Sequence, residues 1–98
     1  MLVHSVYFWL TEPNNANLLA EFETSLHELL TIPPIEQGFI GRPAATRDAV
    51  IVHSYQFGLT LLFQDQAAHD QYQVHPVHVA FSNKYADYFA KVVVYDAQ

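Results

Sequence analysis

Three histidines and a tyrosine lie within ten residues near the middle of the second half of this chain. They are His69, Tyr72, His75 and His78, and they follow an apolar stretch that is typical of a β-strand. Histidine has the side-chain pKa nearest neutrality, so it can accept or donate a proton in a reaction. A tyrosine hydroxyl can hydrogen-bond a bound carbonyl group from an otherwise apolar wall. The pattern therefore predicts either acid–base chemistry or a polar patch that shapes an apolar pocket.

His78 is the candidate for a general base, because burial in an apolar cavity would keep it neutral and able to accept a proton. Tyr72 is the candidate for orienting a carbonyl group beside it. The structural alternative is that His78 hydrogen-bonds backbone at the start of a helix while Tyr72 only packs in the core. His75 precedes Pro76, which disfavours helical geometry for the residue before it, so we expect His75 to brace a turn.

A metal site is not expected in this segment. His75 and His78 are three residues apart, whereas a helical pair of histidine ligands is more typically four apart. No carboxylate lies close enough in the sequence to complete such a pair. The chain has no cysteine, which excludes a thiolate zinc site, a disulfide and a cysteine nucleophile. His69 lies beside Asp70 on an otherwise polar helix, where solvent exposure or an interface is expected.

The composition favours a chain whose apolar surface is covered by a second copy. Hydrophobic residues make up 51% of its 98 residues and charged residues only 14%, below the roughly 25% of a typical globular protein. We therefore expect one domain over residues 1–98 that forms a homodimer, the commonest kind of oligomer. The net charge of −6, with four basic residues, excludes a basic surface for nucleic acid. No apolar run is long enough to cross a membrane, so we expect a cytoplasmic protein, and no cofactor is expected.

The apolar pattern predicts alternating strands and helices. Strands are predicted over residues 2–10, 35–42, 54–63 and 89–95. Both faces of the first strand are largely apolar, which predicts that both are buried. The first helix should end at or before Ile32, because Pro33 and Pro34 cannot donate helical hydrogen bonds. Further helical segments are predicted for 65–73, where Asp65 is a good N-cap, and for 76–88. This order predicts an α+β ferredoxin-like sandwich, with a four-stranded antiparallel sheet and its helices on one face.

Several short motifs, in this order and spacing, resemble the stress-responsive α/β-barrel family, the dimeric ferredoxin-like "Dabb" proteins. They are LVH at 2–4, IP at 32–33, GRPA at 41–44, SYQF at 54–57, AHDQYQ at 68–73, HPVH at 75–78, Phe81, and VVYD at 93–96. The resemblance implies a two-fold dimer whose sheets pack face to face into an α+β barrel. One branch of the family comprises polyketide cyclases that use the second histidine of HP-x-H as general base, assisted by the preceding tyrosine. Those roles correspond to His78 and Tyr72 here, with His4 lining the pocket.

The chain departs from the cyclase pattern at two positions. Phe57 stands where the cyclases have a histidine, and Ser25 lies near the position of a tyrosine on their first helix. We therefore expect no cyclisation of long-chain polyketides. The predicted pocket contains His4, Tyr72 and His78. Its other predicted wall residues are Phe22, Phe57, Leu59, His75 and Phe89.

Three functions stay open from the sequence. The first is a non-catalytic, stress-responsive dimeric barrel protein with a small apolar ligand pocket in each subunit. The second is a cyclase- or lyase-like enzyme that acts on an apolar carbonyl compound with His78 as general base. The third is a purely structural oligomer with a filled interior. An open cavity where His4, Tyr72 and His78 converge would favour one of the first two functions.

Overall fold

A computed structural model describes all residues, 1–98, as an α+β fold. The elements are β1 (Leu2–Leu10), α1 (Ala16–Leu29), β2 (Gln37–Gly41), β3 (Phe57–Phe63), α2 (Gln66–Val74), α3 (Pro76–Tyr85), a 3₁₀ turn (Ala86–Tyr88) and β4 (Phe89–Ala97). The strands form one antiparallel sheet in the order β2-β3-β1-β4. The predicted ferredoxin-like arrangement is confirmed. None of the helices combines the length and apolar character needed to cross a membrane.

The strand β1 shows how the sheet presents two different faces. The helix-covered face carries alternate residues of β1 and β3, which are all buried: Leu2, His4, Val6, Phe8, Leu10, Phe57, Leu59, Leu61 and Phe63. The bare face carries Val3, Ser5, Tyr7 and Trp9 of β1, which are only half-buried. No helix of this chain covers the second face, so its predicted burial needs a partner subunit and stays a prediction.

Helix α1 begins and ends where the local sequence predicts. The Asn15 side chain accepts a hydrogen bond from the Leu18 amide at 3.1 Å, which satisfies one of the free amides of the first turn. The helix ends at Leu29, and the chain then forms single turns as far as Ile32. The predicted end of the helix before Pro33 is confirmed. The buried side of α1 brings Phe22, among others, onto the sheet with no exposed surface.

Two capping residues set the positions of α2 and α3. The Asp65 carboxylate accepts a hydrogen bond from the Ala68 amide at 2.9 Å and caps α2, as predicted. His75 has an extended backbone between the two helices, and its Nδ1 accepts a hydrogen bond from the Val77 amide at 3.1 Å. Pro76 follows as the first residue of α3, where its missing amide hydrogen costs nothing. The predicted bracing role of His75 is confirmed.

Three of the predicted strands have wrong boundaries. β2 is shorter than 35–42, because Ile35 still belongs to the turn that closes α1, its amide donating to the Ile32 carbonyl. β3 begins at Phe57 and not at Ser54. At Gln56 the side-chain oxygen accepts a hydrogen bond from the Leu10 amide at 2.7 Å, in place of the backbone hydrogen bond of a regular strand pair. The last strand continues past residue 95 to Ala97, where it still pairs with β1. The segment predicted as helix over 76–88 is α3 followed by the 3₁₀ turn.

Candidate functional site

A cavity of about 160 Å³ lies against the helix-covered face of the sheet. Its polar lining comes from His4 on β1, from Tyr72 and Gln73 on α2, and from His78 and Ser82 on α3. The other lining residues are apolar: Val6, Phe8, Leu29, Leu59, Phe81, Phe89, Val92 and Val94. A mostly apolar cavity with a few polar groups on its wall is the usual form of a small-molecule site.

The pair of Tyr72 and His78 forms one side of the polar lining, with ring centroids 4.7 Å apart. Nδ1 of His78 lies 2.9 Å from the carbonyl oxygen of Gln73, which can only accept, so Nδ1 carries the proton of the neutral ring. Burial lowers the pKa of His78, and the hydrogen bond to Gln73 opposes this only in part. His78 is therefore neutral near pH 7 with an unprotonated Nε2. Burial raises the pKa of the Tyr72 hydroxyl, which stays protonated and able to donate.

A second pair joins His4 to Asp96 across the sheet. The two residues are directly opposite in the β1–β4 register, and His4 Nδ1 lies 2.6 Å from a carboxylate oxygen of Asp96. His4 is buried, whereas the Asp96 side chain is 43% exposed. Burial lowers the pKa of His4 and outweighs the opposing hydrogen bond and negative charge of Asp96. His4 is thus a neutral ring that donates to Asp96 from Nδ1.

His69 completes a group of rings around His4. Its ring centroid lies 5.0 Å from that of His4, and the ring of Tyr72 lies 5.9 Å from His4. The side chain of His69 is only 13% exposed, so the predicted alternative of an interface stays a prediction and that of solvent exposure is wrong. The reason is its position on α2, because residues three apart share a helix face and the buried Tyr72 sets the face that contacts β1.

The structure divides the predicted wall residues between the cavity and the core. Leu59 and Phe89 line the cavity, together with His4, Tyr72 and His78. Phe22 and Phe57 do not line it, because their rings pack on each other at 5.4 Å inside the core with almost no exposed surface. His75 is not a lining residue either, since its ring is used to cap α3.

Comparison with known proteins identifies the family. The model of the stress responsive A/B barrel domain, Dabb, matches residues 2–98. The chain belongs to the Dabb family. Comparison with proteins of curated function gave no match.

Solved structures with the same fold cover nearly all of this Dabb protein. A Dabb family protein with a ferredoxin-like fold from Mesorhizobium loti is 26% identical, with a TM-score of 0.82 over 99% of this chain and 94% of the other. A dimeric ferredoxin-like protein of unknown function from Thermobifida fusca is 21% identical, with a TM-score of 0.78 over 98% and 88%. The hydroxynitrile lyase of Passiflora edulis is 14% identical, with a TM-score of 0.79 over 98% and 90%. The last two show that this Dabb protein shares their fold.

Sequence reasoning missed three polar residues around the cavity, namely Gln73, Ser82 and Asp96. Asp96 was not singled out because its partner His4 is 92 positions away, and only the register of β4 on β1 brings them together. The available signal was the alternation of β4, which places Asp96 on the same side as Val92 and Val94. Gln73 acts mainly through its backbone carbonyl, which has no signature in a sequence.

Proposed function

We propose that this Dabb protein is a homodimer in which each subunit binds one small apolar carbonyl compound in the cavity beside His4, Tyr72 and His78. The observation that carries the proposal is the cavity itself, about 160 Å³ with a mostly apolar wall. A dry apolar cavity of about 150 Å³ is large enough to hold benzene. The protonated hydroxyl of Tyr72 supplies a donor for the one oxygen of an aldehyde or ketone. The ligand is thus about the size of benzaldehyde.

The bare face supports the dimeric part of the proposal. A groove of about 370 Å³ runs over this face, and seven of its eight lining residues are hydrophobic. They are Tyr7, Trp9, Val50, Val52, Tyr55, Val93 and Tyr95, with Lys91 as the eighth. A contiguous exposed apolar patch rimmed by polar residues is typical of a protein interaction site. The dimeric relative from Thermobifida fusca shares the fold and favours a second copy of this chain as the cover.

Ligand binding is tested by NMR titration of the ¹³C,¹⁵N-labelled protein with benzaldehyde. We expect shifts of the ring signals of His4, Tyr72 and His78, with a dissociation constant in the millimolar range or tighter. Ser82→Phe fills the cavity and should abolish these shifts, whereas Asn83→Phe, on the exposed neighbouring position of α3, should leave them unchanged. Shifts that persist unchanged in Ser82→Phe would place the ligand elsewhere, and no shifts in the wild-type protein would exclude this ligand class.

The second candidate function is catalysis on the same kind of compound. The observation that favours it is the state of His78, which is neutral and has its Nδ1 proton held by Gln73, so that Nε2 can accept a proton. His78 would take a proton from the carbon next to the carbonyl group. The Tyr72 hydroxyl would donate a hydrogen bond to the enolate oxygen that forms. The hydroxynitrile lyase from Passiflora edulis has the same fold and is an enzyme, which makes a lyase-type alternative worth testing.

Catalysis is tested without knowledge of the natural substrate by deuterium exchange at the α-carbon of cyclopentanone in D₂O. We expect exchange above the buffer rate in the wild-type protein and a loss of about 10²–10⁴-fold in His78→Gln. His27→Gln, on the exposed side of α1, is the matched control and should keep the wild-type rate. Equal rates in His78→Gln and wild type would remove the general-base role. Exchange no faster than in buffer would remove the enzymatic function for this compound class and leave ligand binding as the proposal.

The cavity also explains why we expect no cyclisation of a long-chain polyketide. At about 160 Å³ it is smaller than the roughly 300 Å³ at which pockets for larger ligands begin. The two positions that differ from the cyclases serve packing here. Phe57 is in the core, and Ser25 is buried in a 2.7 Å hydrogen bond with the Tyr85 hydroxyl.

A further inference from the structure

Three side chains from three different elements meet beside the cavity. His4 comes from β1, His69 from α2 and Asp96 from β4, and their potential ligand atoms all lie within 4.8 Å of one another. One oxygen of Asp96 lies 2.6 Å from His4 Nδ1, and the other lies 4.0 Å from His69 Nε2. The carboxylate therefore lies between the two imidazole rings.

The hydrogen bonds of His69 leave its Nε2, the ring atom nearer Asp96, without a proton. Its Nδ1 lies 3.0 Å from an oxygen of Asp70, which can only accept, so Nδ1 carries the proton. Its Nε2 lies 3.3 Å from the side-chain amide nitrogen of Gln73, which donates to the lone pair of Nε2, so an ion would displace the Gln73 side chain. The Nε2 atom that points toward Asp96 is thus unprotonated, as a metal ligand must be. Metal-binding histidines usually have such a carboxylate on the other ring nitrogen, the position that Asp70 occupies.

The other two members are also in a state that suits a cation. A neutral imidazole can move its single proton from Nδ1 to Nε2, which would free Nδ1 of His4 for a metal ion. The side chain of Asp96 is 43% exposed, which gives an ion access from solvent. Two imidazoles and one carboxylate form a donor set that suits zinc, cobalt, nickel or iron, and is poor for magnesium or calcium, which prefer oxygen.

We propose that His4, His69 and Asp96 bind one divalent transition-metal ion of the zinc type, with at least one coordination position open toward solvent on the exposed side of Asp96. Bonds of about 2.0–2.1 Å in a tetrahedral site place ligand atoms about 3.3 Å apart. The observed separations of 2.6 and 4.0 Å lie on either side of that value. Rotation of the exposed Asp96 side chain and a small shift of His69 toward it would close the site. The proposal does not depend on the cavity holding an organic ligand.

The test uses the full chain without a histidine tag. Zn²⁺ binding is measured by calorimetry in competition with a chelator, with no organic ligand present. We expect one ion per chain. Asp96→Asn and His69→Ala should each weaken binding at least tenfold, because even second-shell partners of metal ligands contribute about 10–100-fold to affinity. His27→Ala and His53→Ala change exposed histidines outside the group and should bind as the wild-type protein does.

A measurement on the unmodified protein separates loss of the site from loss of the fold. Co²⁺ added to the wild-type protein should shift the ring-proton NMR signals of His4 and His69 strongly, and that of His75 much less. Asp70→Asn, which removes only the carboxylate behind His69, should weaken Zn²⁺ binding by about 10–100-fold without removing a ligand. Wild-type affinity in a folded Asp96→Asn or His69→Ala protein would overturn the proposal, as would Co²⁺ shifts confined to other histidines or no Zn²⁺ binding at all.

Discussion

The helix-covered face and the bare face of the same sheet differ in what they bury and in what they leave to a partner. The helix-covered face lies in a core of sixteen buried apolar residues, and no buried side-chain polar atom of the protein lacks a hydrogen-bond partner. On the bare face the ring centroid of Tyr55 lies 4.9 Å from that of Tyr7 and 6.0 Å from that of Trp9, but no helix covers these rings. Tyrosine and tryptophan are side chains that protein interfaces favour.

The comparison separates two sources of stability. The helix-covered face is completed by the chain itself, so changes there should alter stability at any protein concentration. The bare face would be completed only by a second copy, so changes there should act through association and depend on concentration. The following changes test that difference.

The largest effect is expected from a charge on the bare face. Tyr7→Asp places a carboxylate in the centre of the groove, and a buried unpaired charge is very costly, so the dimer should dissociate. Trp9→Asp should act in the same way. Val79→Asp on the exposed side of α3 is the control and should leave the mass unchanged. Light scattering measures the mass. A wild-type protein that is monomeric at micromolar concentration, or a Tyr7→Asp protein that stays dimeric, would show that this face is not the interface.

Leu61 and Leu62 are neighbours on β3 that point to opposite faces of the sheet, so truncating each one tests the two faces at nearly the same position. Leu61 has no exposed surface on the helix-covered face, so Leu61→Ala should lower the free energy of unfolding by about 2–5 kcal/mol. Leu62 points to the bare face and is half-buried in the single chain. The effect of Leu62→Ala should therefore be smaller and should vary with protein concentration. Urea unfolding at two concentrations measures both. If the two variants lose stability equally at every concentration, the faces do not differ as proposed.

Acidification should lower the free energy of unfolding, because it protonates the two histidines on the helix-covered side, His4 and His78. The pKa values of His4 and His78 in the folded chain lie below the ordinary value of 6.5, because burial disfavours the charged ring. Between the folded and unfolded pKa values the unfolded chain binds more protons, so this contribution to stability is present above about pH 6.5 and is lost as the pH falls. Urea unfolding between about pH 7.5 and 5.5 measures it, in a range where most carboxylates stay ionised. His78→Gln should flatten the dependence and the exposed His27→Gln should not. An unchanged slope in His78→Gln would contradict this cause.

The fold was predictable from the sequence where the signals are local. The N-cap of α2 at Asp65, the prolines after α1 and the alternation of β1 each act over a few residues, and each correctly predicted an element. The alternation also placed His4 on the buried face. The start of β3 was not predictable, because the apolar pattern suggests that the strand already includes Gln56. The hydrogen bond from the Leu10 amide to the Gln56 side chain, which takes the place of backbone pairing there, has no signature in the sequence.

The site was predictable only in part, because its geometry depends on distant residues. Tyr72 and His78 were predicted to converge, and both line the cavity with His4. Asp96 was missed because its partner His4 is 92 positions away, and only the β1–β4 register brings the two residues together. Phe22 was wrongly predicted to line the cavity. The spacing of apolar residues along α1 predicts which side of the helix is buried, but it does not predict where along the helix the cavity lies.

The smallest expected effect comes from a single cation on the bare face. The ammonium group of Lys91 lies 4.9 Å from the ring centroid of Trp9 and also lines the groove. A cation over an aromatic ring contributes about 0.5–1 kcal/mol when exposed and about 2 kcal/mol or more when water is excluded. Lys91→Met keeps the apolar length of the side chain and removes the charge. If a second copy covers the groove, the loss of stability in Lys91→Met should depend on protein concentration. It should rise from the lower toward the higher value as the concentration exceeds the dimer dissociation constant. Lys91→Arg keeps the cation and should cost little at either concentration. A cost for Lys91→Met that stays at the lower value in a proven dimer would place Lys91 at the wet rim and would locate the centre of the interface nearer Tyr7.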